Sequence, residues 1–212
     1  MKFRPSHGWR RFIAAFAILL VVCEALVYVA TTPRPTEQFM ELYVLGPNQL
    51  VAGYYPNNRP NLHIGEQLVW YLGVTNNMGS VQFISIVVKL SNQTIQPPND
   101  TLALESPAPS VMEFDRFVQD NGTWLTPFMW SISNATSDGG VTHILVLHIN
   151  NETFQVPNWS ATHGYNFRFI FELWTWQTAG NEFEFGWTAN GKSQAAWLQI
   201  WFNMTNPYTS SR

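Results

Sequence analysis

Phe12 to Ala30 is a run of nineteen residues in which Glu24 is the only charge, and it partitions the chain before any finer pattern is read. At ~1.5 Å per residue such a helix covers roughly 28 Å, close to the ~30 Å hydrocarbon core of a bilayer. Lys2, Arg4, Arg10 and Arg11 precede it. The positive-inside rule therefore places residues 1–11 in the cytoplasm as a basic tail, 12–30 in the membrane, and the rest outside the cell. A cleaved signal peptide is the competing reading, because Cys23-Glu24-Ala25 has the small-x-small form of a cleavage site. The apolar run continues past that site to Ala30, which favours a retained single-pass anchor in the cell membrane. Glu24 at that depth costs ~2.5–3.5 kcal/mol on insertion scales, so it is a candidate contact to another membrane helix. Protonation, or a reach toward the outer headgroups, is the equally weighted alternative.

The external reading is supported by seven Asn-x-Ser/Thr acceptors, beginning at Asn92, Asn99, Asn121, Asn134, Asn151, Asn158 and Asn203. Chance would give about three for this asparagine content. N-linked glycans at these positions would supply solubility that the chain otherwise lacks, since charged residues are only 12% against 46% hydrophobic. The net charge of −3, with no basic cluster past the first dozen residues, excludes the electrostatic footprint of a nucleic-acid binder. One cysteine excludes an internal disulfide or a thiolate zinc cluster.

Residues 31–38 form a Pro-bearing linker too short to let a domain roam from the bilayer surface. From residue 39 to 206, short β-branched and aromatic runs alternate with Gly, Pro, Asn and Asp, and no 3.6-residue period appears. Strands are expected at Glu41–Leu45, Leu50–Tyr54, Gln67–Val74, Ser80–Leu90, Val111–Val118, Trp124–Ile132, Val141–Ile149, Thr153–Val156, Tyr165–Trp176, Glu182–Trp187 and Ala195–Met204, with 207–212 as a tail. In Tyr165–Trp176 the residues Phe167, Phe169, Phe171 and Leu173 share one face, and Asn166, Arg168 and Glu172 share the other. The fold class this predicts is mainly β, an antiparallel Ig-like β-sandwich ectodomain after one transmembrane helix.

Glu41-Leu42-Tyr43-Val44-Leu45-Gly46-Pro47, Tyr55-Pro56, Ile64-Gly65-Glu66, Val74-Thr75-Asn76 and Ile86-Val87-Val88 together resemble the opening of the prokaryotic, largely archaeal, domain of unknown function 1616 family. Trp124-Leu125-Thr126-Pro127-Phe128, His143-Ile144-Leu145 and Ala196-Trp197-Leu198-Gln199-Ile200-Trp201 fall where that family has its closing strands. The resemblance covers most of residues 40–205. It implies a membrane-anchored extracytoplasmic β-sandwich with no catalytic residues to carry over. The single N-terminal span and the aromatic stretch from Trp159 to Trp187 depart from the family pattern.

Gly186-Trp187-Thr188-Ala189-Asn190-Gly191-Lys192-Ser193 spells the phosphate-binding P-loop consensus. A P-loop has to run from a buried parallel strand into a helix, whereas a strand is expected after this one, so Asn190-Gly191 reads as a hairpin turn. His143 and His148 are five apart on one strand, which by parity points them to opposite faces, and no His pair has metal-ligand spacing. A long-range pairing such as His63 with His163 stays open. The carboxylate pairs Glu113 with Asp115 and Glu182 with Glu184 share strand faces and read mainly as solvated surface rather than as acid and base. No nucleophile elbow or HExxH motif is present, so no enzyme, no cofactor and no metal is expected.

Trp159, Trp174, Trp176, Trp187, Trp197 and Trp201 crowd the last third. Core packing, a protein interface and a sugar-stacking platform compete to explain them. Trp174 and Trp176 fall on the polar face of their strand and are the interface candidates. The sequence therefore reads as a non-catalytic accessory or scaffolding subunit of a membrane or cell-surface complex. The alternative is a surface carbohydrate-binding or other ligand-binding module that uses exposed Trp.

Overall fold

The computed structural model of the chain describes residues 7–31, 37–205 and 208–209. Lys2 and Arg4, most of the 31–38 linker and most of the 207–212 tail lie outside the described residues. The chain divides into an N-terminal unit and a unit that starts at Gln38. In the first, α1 (His7–Thr31) contains a stretch, Arg11–Thr31, long and apolar enough to cross a membrane. It has none of the Gly or Pro interruptions that would break an apolar helix, apart from Gly8 in its first turn.

The second unit is built from β1 (Phe39–Leu45), β2 (Asn61–Leu62), β3 (Leu68–Asn77), β4 (Gln82–Asn92), β5 (Ser110–Val118), β6 (Gly122–Asp138) and β7 (Val141–Ile149). It continues through β8 (Glu152–Thr162), β9 (Phe167–Gln177), β10 (Glu182–Phe185), β11 (Trp187–Ala189), β12 (Lys192–Gln194), β13 (Trp197–Met204) and β14 (Tyr208–Thr209). One sheet has the order β1-β3-β6-β7-β8, with β14 also on β6; the other has the order β2-β13-β9-β4-β5, with β10 also on β9. Neighbours are antiparallel except β2 with β13 and β14 with β6. The expected mainly-β, Ig-like two-layer sandwich is the observed architecture.

Alternation explains why the layers adhere. From Phe167 to Leu173 every second residue of β9 is a large apolar group, and Phe167, Phe169, Phe171 and Leu173 are all fully buried. They meet Trp70 of β3 and Phe128 and Trp130 of β6 from the facing sheet, with Trp130 4.7 Å from Phe169 and Phe128 5.4 Å from Phe171, both nearly edge-on. Phe202 of β13 closes the cluster 5.1 Å from Trp130. Edge-to-face pairs of this kind add about 0.5–1.5 kcal/mol each beyond burial of area.

Five sequence expectations change. β8 runs Glu152–Thr162, eleven residues, well past Thr153–Val156. Leu50–Tyr54 is not a strand. Gly46 donates to Leu50 O and Gln49 to Gly46 O, folding the chain back on itself. Gln49 and Gly53 take left-handed φ of 56° and 71°, which no strand tolerates. β6 runs seventeen residues, well past Trp124–Ile132. Its Pro127 is accepted because β6 has β3 along one side only over Gly122–Trp130, β7 joining from Trp130 onward. Glu182–Trp187 breaks at Gly186, where φ is +84° and an added Cβ would lie 2.2 Å from Gln194 O. Last, His143 and His148 lie on one face rather than opposite ones. A bulge between Ile144 and Val146 resets the parity, so both alternate with buried Thr142, Ile144, Leu147 and Ile149. They remain roughly 15 Å apart along the strand, too far to share an ion.

Tyr55 fastens the loop after β1 to β13 by donating its hydroxyl to Trp201 O. Burial pushes its pKa well above its ordinary 10.0. A phenol held neutral in the fold stabilises it fully below pH 10, and that contribution drains away as the pH rises toward the raised folded value. Urea midpoints taken from pH 8 to 11.5 are therefore expected to fall above pH 10, and the Tyr55→Phe protein to lose much of that fall at a cost of about 1 kcal/mol at pH 8.

Candidate functional site

The face of β4 and β9 turned away from the core decides the chemistry of this protein. Across the paired strands it forms successive rows: Phe117, Phe83, Trp176 and Phe183; then Asp115, Ser85, Trp174 and Phe185; then Glu113, Val87, Glu172 and Trp197. Residues 93–109, between β4 and β5, drape over the other end of this face. They bury residues that parity alone would leave in solvent: Lys89, Ser91, Arg168 and Glu172 are each no more than 3% exposed.

Lys89 and Glu172 occupy diagonal positions on adjacent strands and form an ion pair of 3.0 Å. Beside that ion pair, the ammonium donates hydrogen bonds to Glu105 Oε2 at 2.6 Å and to Ser106 O at 2.7 Å. Glu172 in turn accepts from Ser106 N–H at 2.7 Å and from Trp174 Nε1–H at 3.0 Å. Ser106 Oγ donates to Gln96 O, so the loop is tied internally at the same place. The Lys89 ammonium lies 5.6 Å from the Trp174 ring centroid. Charge, loop and indole thus form one connected unit. Farther along, Arg168 donates to Ile95 O and Gln199 Oε1 and stacks 4.7 Å over Trp201. Burial lowers the Arg168 pKa from its ordinary value.

The two tryptophans proposed from sequence have different surroundings. Trp174 is half-buried and locked to Glu172. Trp176 belongs to a ladder of four rings: Phe117 to Phe83 4.3 Å and stacked, Phe83 to Trp176 5.9 Å, and Trp176 to Phe183 5.1 Å. Phe117 is 65% exposed. Trp159 and Trp187 are core residues, as are Trp70 and Trp130.

Two clefts flank Trp174. One, of about 280 Å³, lies over Ser85, Val87 and Lys89, walled by Trp174 and Phe183 and rimmed by Glu105 and Glu113. The other, of about 460 Å³, reaches over β10 toward Glu182 and Glu184. β10 alternation sends Phe183 and Phe185 to the outer face and Glu182 and Glu184 away from it, so the two carboxylate pairs do not converge. Among the described residues no group of three or more His, Cys, Asp or Glu gathers as metal ligands would. His63 is placed by Thr205, and His163 by the turn at Gly140, in separate contacts.

The P-loop-like stretch is a hairpin, β11 paired with β12 through Asn190 and Gly191 at φ of 52° and 73°, the left-handed pair that a tight two-residue turn needs. Of the glycan acceptors, Asn99, Asn121, Asn134 and Asn151 are exposed. Asn92 and Asn203 are half-buried, their amide groups donating to Ser160 O and Asn61 Oδ1. Asn158 lies on β8, and its side chain is outside the described residues. Glu24 and Cys23 are exposed on α1.

No family model and no curated protein matches the chain. Among solved structures, a CARDB domain from Pyrococcus furiosus is similar at 7% identity over 81% of this chain and 97% of that one, with a TM-score of 0.39. A β-glucosidase from Listeria innocua is similar at 10% identity over 81% of this chain and 16% of that one, with a TM-score of 0.36. A sporulation control protein from Bacillus subtilis is similar at 7% identity over 79% and 49%, with a TM-score of 0.34. These are distant likenesses, and no function crosses with them.

Sequence reading missed Lys89, Glu105, Ser106, Ser85, Phe83 and Phe117. The available signals were a single Lys among the mainly apolar residues Ile84 to Leu90 and a single Glu inside an aromatic strand. Buried charges occur in pairs, but only the register of β4 on β9 says that these two are partners.

Proposed function

We propose that this chain is a non-catalytic, membrane-anchored and N-glycosylated accessory subunit, held in the membrane by α1 with its sandwich outside the cell. Its outer sheet face docks a partner protein of the same surface assembly. The observation that carries this is the ring ladder Phe117–Phe83–Trp176–Phe183, which crosses the sheet from β5 to β10 beyond the reach of the 93–109 loop. Aromatic rings are the preferred anchors of protein interfaces, and this row ends in Phe117 at 65% exposure with Phe83, Trp176 and Phe183 only half-buried, the kind of surface a partner covers. The four exposed acceptor asparagines are compatible with this face being kept clear, since none of them lies in the ladder. Membership of the domain of unknown function 1616 family remains part of this proposal.

Trp174 is a poor probe of the interface because its loss would disturb Glu172; Trp176 and Phe117 carry no such duty. Purified from its own membranes in a mild detergent, the wild-type chain should bring down a stoichiometric partner. The Trp176→Ala, Phe117→Ala chain should lose it, with about 2 kcal/mol of binding gone per anchor and the sandwich still unfolding cooperatively above the temperature of the assay. A wild-type chain that purifies alone, or a partner retained by the double variant, would sink the reading. A thiol cross-linker on Cys23, next to Glu24, examines the membrane helix in the same preparation.

A further inference from the structure

The smaller cleft contains an unused polar atom. Ser85 is 1% exposed, and its Oγ has no hydrogen-bond partner, yet Ser85 lines a cleft of about 280 Å³. A buried hydroxyl without a partner is unfavourable by itself, which marks the position as one that a bound molecule completes. The walls specify that molecule. Trp174 and Phe183 give one side two aromatic rings, while Val87, Ala108 and Pro109 make much of the rest apolar. Lys89 lies at the floor, its charge already met by Glu172 and Glu105, and Glu105 and Glu113 stand at the rim, both exposed. The charge left open is that of the rim carboxylates, so a net anion is disfavoured. What fits is a ligand without negative charge that has an apolar face for the rings, hydroxyl donors for the carboxylates, and one hydroxyl for Ser85 Oγ.

We propose that this cleft binds a single neutral pyranose ring, stacked on Trp174 and Phe183, donating hydroxyls to Glu105 and Glu113 and hydrogen-bonded to Ser85 Oγ. The volume is small against the roughly 300–1,000 Å³ of pockets for larger ligands, which suits one ring rather than a run of several. The ring is either a free sugar or the end residue of a surface polysaccharide. The site does not depend on partner docking, because the ring ladder lies one row away and shares only Phe183 with it.

The test uses the full chain in a non-glycosidic detergent, since a maltoside would compete. Methyl glycosides of glucose, galactose and mannose are titrated by saturation-transfer NMR, with glucosamine and glucuronate as charged counterparts and a linear glucan as polymer. At least one neutral glycoside should bind saturably and at least tenfold more tightly than glucuronate. Ser85→Ala should weaken it about five- to tenfold while leaving the thermal midpoint unchanged or higher, because it removes a hydroxyl with no partner in the empty site. Glucan binding at least tenfold tighter than the glycoside assigns the ring to a polymer end, and equal binding assigns it to a free sugar. No saturable response to any of the three neutral glycosides, glucuronate that binds as well, or an unaffected Ser85→Ala protein would overturn the assignment. Partner loss in Trp176→Ala, Phe117→Ala with glycoside binding intact, or the reverse, separates this site from the docking face.

Discussion

Lys89→Met is expected to destabilise the β-sandwich unit by about 3–5 kcal/mol, read as a lowered urea midpoint at an unchanged slope. The substitution keeps an apolar stem of similar length and removes the ammonium. Glu172, completely buried, would keep the hydrogen bonds from Ser106 N–H and Trp174 Nε1–H but lose the charge 3.0 Å from its oxygen. A carboxylate left in that state meets the desolvation cost of a charge without compensation. Glu105→Gln should cost no more than about 1 kcal/mol, because Glu105 is 51% exposed and water replaces what it loses. The double replacement Lys89→Met, Glu172→Gln should recover a large part of the single loss, since the buried charge is gone with its partner. Amide exchange in residues 93–109 should quicken in Lys89→Met and not in Glu105→Gln. A single variant within 1 kcal/mol of wild type would mean that the pair does not hold the loop.

Trp70→Ala is expected to cost about 3–5 kcal/mol and lower the thermal midpoint by about 10 °C. Trp70 is fully buried at the meeting of both layers, with Trp130 at 5.0 Å, Phe169 at 6.1 Å, and Phe128, Phe171 and Tyr55 also around it. Truncation leaves a void that rings fixed on two sheets cannot collapse to fill. It also strips Tyr54 O of the indole donor at 2.7 Å that fastens the loop after β1. Trp70→Phe, which keeps the packing but not the donor, should lose less than half as much. Calorimetry on the three proteins separates the two contributions. An alanine variant within 1 kcal/mol of wild type would show that this ring is not central to the core.

The apolar N-terminal helix and the strands with undisturbed alternation are legible in residues alone. β9 shows its core face in Phe167, Phe169, Phe171 and Leu173, and Asn190-Gly191 its turn, because period and turn chemistry are local. Reading failed where local pattern gave way to neighbours. Leu50–Tyr54 has strand composition but is bent back by Gly46 and Gln49. β7 carries a bulge that inverts the parity of His148 relative to His143, and nothing in Val141–Ile149 announces it. Trp174 and Trp176 share a face and a residue type, and only their neighbours give one to an ion pair and the other to a ring ladder.

Residue order by itself set which segment can cross a bilayer, which side chains of the unbulged strands face the inside of the sandwich, and where the Asn-x-Ser/Thr triplets fall, since each follows from spacing along a few consecutive residues. The tertiary structure alone decided that Lys89 and Glu172 are buried, that Ser85, its Oγ buried without a partner, lines a cleft and that four rings form a row. Those facts depend on the register of β4, β5, β9 and β10 and on a seventeen-residue connection folding over one end of the sheet. Burial of a charge is a property of what covers it, and here the cover comes from elsewhere in the chain.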